Sequence, residues 1–234
     1  MATDNKVVVF IDILGFAALT KAFPIDINLI KANYRLLSPS LSIDTIFKIQ
    51  NNQLVQTFSQ FHSSLQGVLN LANMRHSLTA ITFSDSAFVA TSYAFEAVNI
   101  AIDLIHTLLP QKIPVRMGIA YGSFATVRFC SDVTSDSANH SAQFLGTAIV
   151  HAHETETCGI KGLRILLHPS IIPLLSDIQH NPLTSNNSYS IYNIECSENE
   201  QENKIGIKHE INYWDLKPTR ELARIIHKKG SAST

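Results

Sequence analysis

The sequence predicts an α+β domain on the split βαβ plan of ferredoxin-like sheets, with helices on one face of the sheet and a hairpin and helix added towards the C-terminal end. Three observations predict it. Val7-Val8-Val9-Phe10-Ile11 is a β-branched and aromatic run that reads as a buried strand. Apolar residues at 54, 58, 61, 65, 68 and 72, and again at 98, 101, 102, 105 and 109, recur at helical spacing and describe two amphipathic helices. Between those helices, residues 77–83 and 87–91 read as two short strands around Ser84-Asp85-Ser86, whose polar side chains suit a tight turn.

The other elements follow in chain order. The first strand delivers Asp12-Ile13-Leu14-Gly15-Phe16 at its end. Pro24 and Pro39 interrupt the next stretch and leave room for a short helix over 29–37. The helix over 94–109 stops at Pro110, and residues 114–121 form a strand that Gly122 is expected to turn into 123–129. Polar residues 131–141 carry no apolar period and read as a long loop, of the kind that serves as a lid or an interface. A helix is expected over 144–157, strands over 163–168, 189–194 and 211–216, and a solvated acidic connector over 195–203. Pro218, Glu221 and Lys228-Lys229-Gly230 mark the start, first turn and end of a terminal helix. The chain reads as one domain over 1–234, with its core in 6–168 and an elaboration over 169–234.

A chain of 234 residues with 45% hydrophobic and 16% charged content suits one sizeable core. Eighteen Lys and Arg against 19 Asp and Glu give a net charge of -1, so the basic field that drives nucleic-acid binding is absent. Apolar stretches such as 100–109 are broken by Asp103 and His106 and fall short of the roughly 20 residues that cross a bilayer. The N-terminal residues lack the pattern of an export signal. Cys130, Cys158 and Cys196 are too widely spaced for a zinc site or a disulfide framework. A cytoplasmic location with reduced thiols is expected. If the substrate is a polyanion, its charge must be met locally, because the overall field does not do so.

Asp12 follows an all-apolar strand, and Asp85 lies in the hairpin that a split βαβ sheet sets beside that strand. Two carboxylates far apart in sequence can therefore share one end of the sheet. Carboxylate and carbonyl oxygens suit hard cations such as Mg²⁺ or Mn²⁺, and a shared pair can hold two ions that bridge a nucleotide's phosphates. Taken singly, each Asp equally suits an ordinary turn.

Four segments in order resemble the catalytic domain of class III nucleotidyl cyclases over residues 6–168: Val9-Phe10-Ile11-Asp12-Ile13-Leu14-Gly15-Phe16, Thr82-Phe83-Ser84-Asp85, Pro114 to Gly122, and Phe144-Leu145-Gly146-Thr147-Ala148-Ile149 through Glu156. The resemblance implies the nucleotidyl cyclase fold, with Asp12, Asp85 and the Ile13 carbonyl holding two Mn²⁺ or Mg²⁺ ions. Phe10, Gly15 and Phe16 would contact the nucleotide, and the chain would act as a homodimer with composite sites. Departures from the family pattern are specific. The base-reading positions fall on Ile81 and Gln143, and the catalytic Asn and Arg positions on Val150 and Glu154. Those losses, the Asp-Ile-Leu-Gly-Phe opening and the Glu154-Thr155-Glu156 ending resemble the bacterial pyrimidine (uridylate or cytidylate) cyclases of antiphage defence, whose cyclic UMP or cyclic CMP is read by a separate effector. Gln143 can pair with either pyrimidine by flipping its amide.

A cation must still meet charge developing on the phosphates. Arg128 is assigned that catalytic role, with Lys204 and Lys208 as alternatives, while Arg116, flanked by Val115 and Met117, is expected to brace the sheet. His151 and His153 lie about 200° apart around a helix and are expected to be surface or interface residues that share no metal. Gly159-Ile160-Lys161-Gly162 is expected to end a helix.

Overall fold

The computed structural model describes residues 3–26, 28–29, 51–74, 76–130, 140–179, 190–194 and 206–213. The short helix over 29–37, the connector over 195–203, Trp214, Lys204, the terminal helix from Pro218 and the central loop residues 131–139 lie outside the described residues.

Among the described residues the strands are β1 (Thr3–Ile13), β2 (Thr79–Thr82), β3 (Ser86–Thr91), β4 (Val115–Cys130), β5 (His140–Leu145), β6 (Ile165–Leu167), β7 (Ser190–Asn193) and β8 (His209–Asn212). They form one sheet in the order β2-β3-β1-β4-β6-β8-β7, with β5 paired to the outer part of β4. Among the described residues only the β4–β6 pair is parallel. The helices are α1 (Phe16–Ala22), α2 (Gln53–Asn73), α3 (Ala94–Leu108), α4 (Thr147–Glu156) and α5 (Ile172–Gln179). This is the α+β architecture expected, and the C-terminal strands extend the same sheet through β6.

Strand alternation divides the core. Val7, Val9, Ile11 and Ile13 of β1 face α2 and α3, where they pack with Phe61, Leu65, Ile100 and Leu104. Asn52 caps α2 by accepting from the Val55 amide at 3.0 Å. Val8 and Phe10 face the other way, against Ala120, Phe124, Ala148 and Ala152. The expectation of helices on one face therefore holds for α2 and α3 and is corrected for α4, which covers the opposite face.

The physical reason is the surface that β4 presents. A Cβ on Gly118 would lie 2.2 Å from the Ala152 carbonyl, and one on Gly122 would lie 2.4 Å from Thr147 Oγ1. Both glycines are strand residues that let α4 rest on the β4 backbone. Gly122 thus does not turn the chain, and β4 runs 16 residues without a break. The helix expected over 144–157 is likewise corrected: Phe144 and Leu145 finish β5, and α4 starts at Thr147. Its start is locked to β4 in both directions, because Ser123 N donates to Thr147 Oγ1 and Thr147 N donates to Ser123 Oγ, each at 3.0 Å. Gly159, two residues beyond the Thr157 cap, takes φ +92°.

The tight seat of α4 has a measurable consequence. Gly118→Val is expected to lower stability by at least about 2 kcal/mol in urea unfolding, because the helix backbone has no room to yield. Gly67→Ala is a control of opposite sign. Its Cβ would meet nothing within 4 Å on α2, so it is expected to raise stability by about 0.5–1 kcal/mol.

Candidate active site at the end of the sheet

Asp12 is the penultimate residue of β1 and faces Ser86 of β3 on one side and Arg116 of β4 on the other. The β2–β3 turn brings Asp85 to the same end. Ile13 N donates to the Asp85 carbonyl at 3.0 Å, Phe83 N donates to the Ser86 carbonyl at 2.7 Å, and Ser84 Oγ donates to Asp85 Oδ1 at 2.9 Å. His62 of α2 lies 3.2 Å from the Ser84 carbonyl and ties the turn to the helix layer. The juxtaposition expected from the split βαβ order is thus present in the strand register.

The electrostatics of this end are set by three carboxylates and one guanidinium. Asp12 is pushed up from 3.8 to about 6, first by burial, then by the charges of Glu156 and Asp85, with Arg116 pulling the other way. Arg116 is already engaged. Its Nε and Nη2 both meet Glu156 Oε1 at 2.7 Å, and its Nη1 donates to the Ile160 carbonyl at 3.1 Å. The Glu156 side chain is only 3% exposed. Arg116 is therefore the brace expected of it, joining β4 to the end of α4.

Among the described residues no group of three or more His, Cys, Asp and Glu side chains is arranged to hold a metal. The donors that the family resemblance implies, the Asp12 and Asp85 carboxylates and the Ile13 carbonyl, would all be hard oxygen, in a place where negative charges already oppose one another. That chemistry fits Mg²⁺ or Mn²⁺, with the remaining ligands coming from phosphates and water.

Other predicted site residues fall as follows. Gly15 takes φ +80° at the start of α1, a left-handed turn that favours glycine, and Phe16 opens the helix beside it. Phe10 is 6% exposed and packs against Phe88 and His153, with ring centroids 4.5 and 5.1 Å away, so in the single chain it is a packing residue. Ile81 sits on β2 opposite Phe88. Arg128 and Gln143 belong to the β4–β5 hairpin, where Val127 pairs with Gln143 and Arg128 with Ala142. The strand rise carries Arg128 roughly 40 Å along β4 from Arg116, so one chain does not bring it to Asp12. Lys208 adjoins β8, which β4 and β6 separate from β1. Val150, 53% exposed, and Glu154 lie on the outer surface of α4. His151 is half-buried rather than on the surface. It stacks on His168 at 4.3 Å, and burial followed by the neighbouring His151 ring holds His168 below its usual pKa.

Two features escaped the sequence reading. Glu156 was legible: Ala148, Ala152 and Glu156 are four apart on one buried helix face, and a carboxylate there requires a partner. The other is a cleft of about 580 Å³ bounded by α1, the first turns of α2 and the Ser84–Asp85 turn.

No protein-family model matches the chain, and no curated protein matches it in sequence. Similarity is found among solved structures. A bacterial light-regulated adenylyl cyclase superposes with a TM-score of 0.56 at 13% identity, covering 97% of this chain and 57% of that one. The fold is that of class III nucleotidyl cyclase catalytic domains. The chain spans little more than half the length of that first cyclase. The guanylate cyclase domain of RhGC from Catenaria anguillulae, in complex with GTP, gives a TM-score of 0.53 at 13% identity over 90% of this chain and 97% of that one. The dimeric guanylyl cyclase domain of the RhoGC fusion protein from Blastocladiella emersonii gives 0.51 at 13% identity with the same coverages. Among the described residues no helix of this cyclase fold is long and apolar enough to cross a membrane.

The raised Asp12 pKa gives a signed prediction. Folding favours its protonated form, so that stabilising contribution is full below about pH 4 and is lost as pH rises through about 6. In chelator, Asp12→Asn is expected to raise stability by about 1 kcal/mol at pH 7, a value discounted for the carboxyl's partial exposure, and to change little at pH 4. Thermal unfolding at both pH values measures this. Glu156→Ala is expected to cost about 3 kcal/mol, because it leaves Arg116 unpaired.

Proposed function

We propose that the chain is a metal-dependent nucleotidyl cyclase. Its substrate is a pyrimidine nucleoside triphosphate, UTP ahead of CTP, and its products are the 3′,5′-cyclic monophosphate and pyrophosphate. The cyclic nucleotide serves as a cytoplasmic second messenger of antiviral defence, read by a separate effector. The observation that carries this reading is the meeting of Asp12 and Asp85 at one sheet end, joined through the Ile13 amide, with the Asp12 carboxylate disfavoured first by burial and then by the charges of Glu156 and Asp85. Such a cluster gains most when cations arrive.

Bound there, two divalent ions would supply Lewis acidity to the ribose 3′-hydroxyl and to the phosphate oxygens. Asp12, Asp85 and the Ile13 carbonyl would hold them. The 3′-oxygen attacks the α-phosphorus in line, its proton is lost to solvent, and the bond to the β-phosphate oxygen breaks to release pyrophosphate. Gly15 and Phe16 lie at the turn where the chain would meet the phosphates. Ile81 offers the base no hydrogen bond, which suits a pyrimidine better than the purine-reading pattern. Gln143 and Arg128 would act across a homodimer, since their hairpin lies far along β4 from the carboxylates of the same chain. One domain over 1–234 would supply both halves of each composite site.

A second reading has its own observation. The outer surface of α4 presents Val150 and Glu154 where the family resemblance leads one to expect Asn and Arg. A cyclase-like dimer that binds nucleotide or protein without turnover would need neither.

The test is a panel of all four nucleoside triphosphates with Mn²⁺ and the purified chain. A cyclic pyrimidine monophosphate is expected, with turnover lowered at least about a thousandfold by Asp12→Ala or Asp85→Ala. Cyclic AMP or cyclic GMP alone would identify a purine cyclase with relocated specificity residues. No product, with biological output intact in both Asp variants, would favour the non-catalytic module.

A further inference from the structure

The cleft beside Asp85 is chemically unlike a triphosphate site. Its walls are Phe16 and Ala17 of α1, Ile25, and Leu54, Val55 and Phe58 of α2. Helix α1 buries none of its residues, although its first four are Phe-Ala-Ala-Leu, and its Phe16, Ala17, Thr20 and Lys21 line the cleft. A volume of about 580 Å³ falls in the range of sites that enclose small ligands, and such sites are mostly apolar with a few placed polar groups.

The polar groups decide the ligand's class. Thr20 Oγ1 already donates to the Phe16 carbonyl at 3.0 Å, and Ser84 Oγ already donates to Asp85 Oδ1. Their hydroxyl protons are committed, so neither can donate to the carbonyls of a peptide backbone, most of whose polar groups would go unsatisfied against these walls. Lys21 is different. It stands in the last turn of α1 at the cleft, and among the described residues it has no carboxylate within salt-bridge distance. An apolar body with a single anionic head matches one ammonium among apolar walls, and the Asp85 carboxylate that also lines the cleft favours the head lying at Lys21.

We propose that this cleft binds a straight-chain carboxylate of the fatty-acid type, its tail along Phe16, Leu54, Val55 and Phe58 and its carboxylate on Lys21. Because Ser84 and Asp85 form one wall, a bound chain packs directly against the turn that carries the second carboxylate of the sheet end. The proposal does not depend on the cyclase reading, since it rests on the cleft alone.

Calorimetric titration of the full chain in chelator, without nucleotide, tests it with dodecanoate and 1-dodecanol below micelle-forming concentrations. One dodecanoate per chain is expected, bound about tenfold more tightly than the alcohol. Affinity should rise about fourfold per methylene from decanoate to dodecanoate. Lys21→Met, an exposed position that leaves the core intact, is expected to remove the preference for the carboxylate while the alcohol binds as before. Ala17→Trp, which fills the cleft from the exposed helix, should abolish both. Absence of binding, equal binding of acid and alcohol to the unaltered chain, or full dodecanoate affinity in Lys21→Met or in a folded Ala17→Trp would each overturn the proposal. An inactive cyclase with intact dodecanoate binding would sink only the catalytic reading.

Discussion

A helix can lie on the backbone of a strand only where the strand withholds its side chains, and Gly118, Ala120 and Gly122 do this on one face of β4. The arrangement at the sheet end depends on that contact. It lets the alanines of α4 approach the strand, and it carries Glu156 to the depth at which its carboxylate meets Arg116 at 2.7 Å. Arg116 in turn is the residue opposite Asp12 in the register of β1 and β4. A packing constraint at two glycines thus becomes an electrostatic condition at a carboxylate three strands into the sheet.

Under the proposed function, that condition would let a near-neutral protein handle a polyanion. The net charge of -1 offers no attraction at long range. At the sheet end Asp12, Asp85 and Glu156 stand against a single Arg116, which Glu156 already holds. The local excess is negative, and burial makes it expensive in free energy. Divalent cations bound there would relieve it and at the same time provide the positive surface that phosphates need. The neighbouring cleft, lined mostly by apolar side chains with Lys21 at α1, differs in chemistry although it shares the Asp85 turn.

Much of this was legible in the sequence where a strong local period or turn acted alone. The β-branched run of β1, the apolar stripes of α2 and α3, and the polar Ser84-Asp85-Ser86 turn all fell close to their observed places. The pairing of β1 with β3 followed from element order. Failures gathered where tertiary contact outweighs local preference. Gly122 reads as a turn because glycine usually signals one, yet here it serves close helix packing inside a 16-residue strand. Phe144 and Leu145 read as helix through their apolar neighbours, while hairpin pairing with β4 makes them strand. The position of α4 on the second face was hidden for the same reason, since its small residues carry little amphipathic signal. Glu156 went unassigned as a neighbour of Asp12 because only that packing brings them together.

As proposed, Asp12 and Asp85 would form one cation site. Mn²⁺ binding to the purified chain at pH 7, followed by electron paramagnetic resonance of the free ion, tests it most directly. Saturable binding is expected in the unaltered protein, with at least about a tenfold loss of affinity in both Asp12→Asn and Asp85→Asn and the fold retained. Unchanged Mn²⁺ affinity in either variant would contradict it.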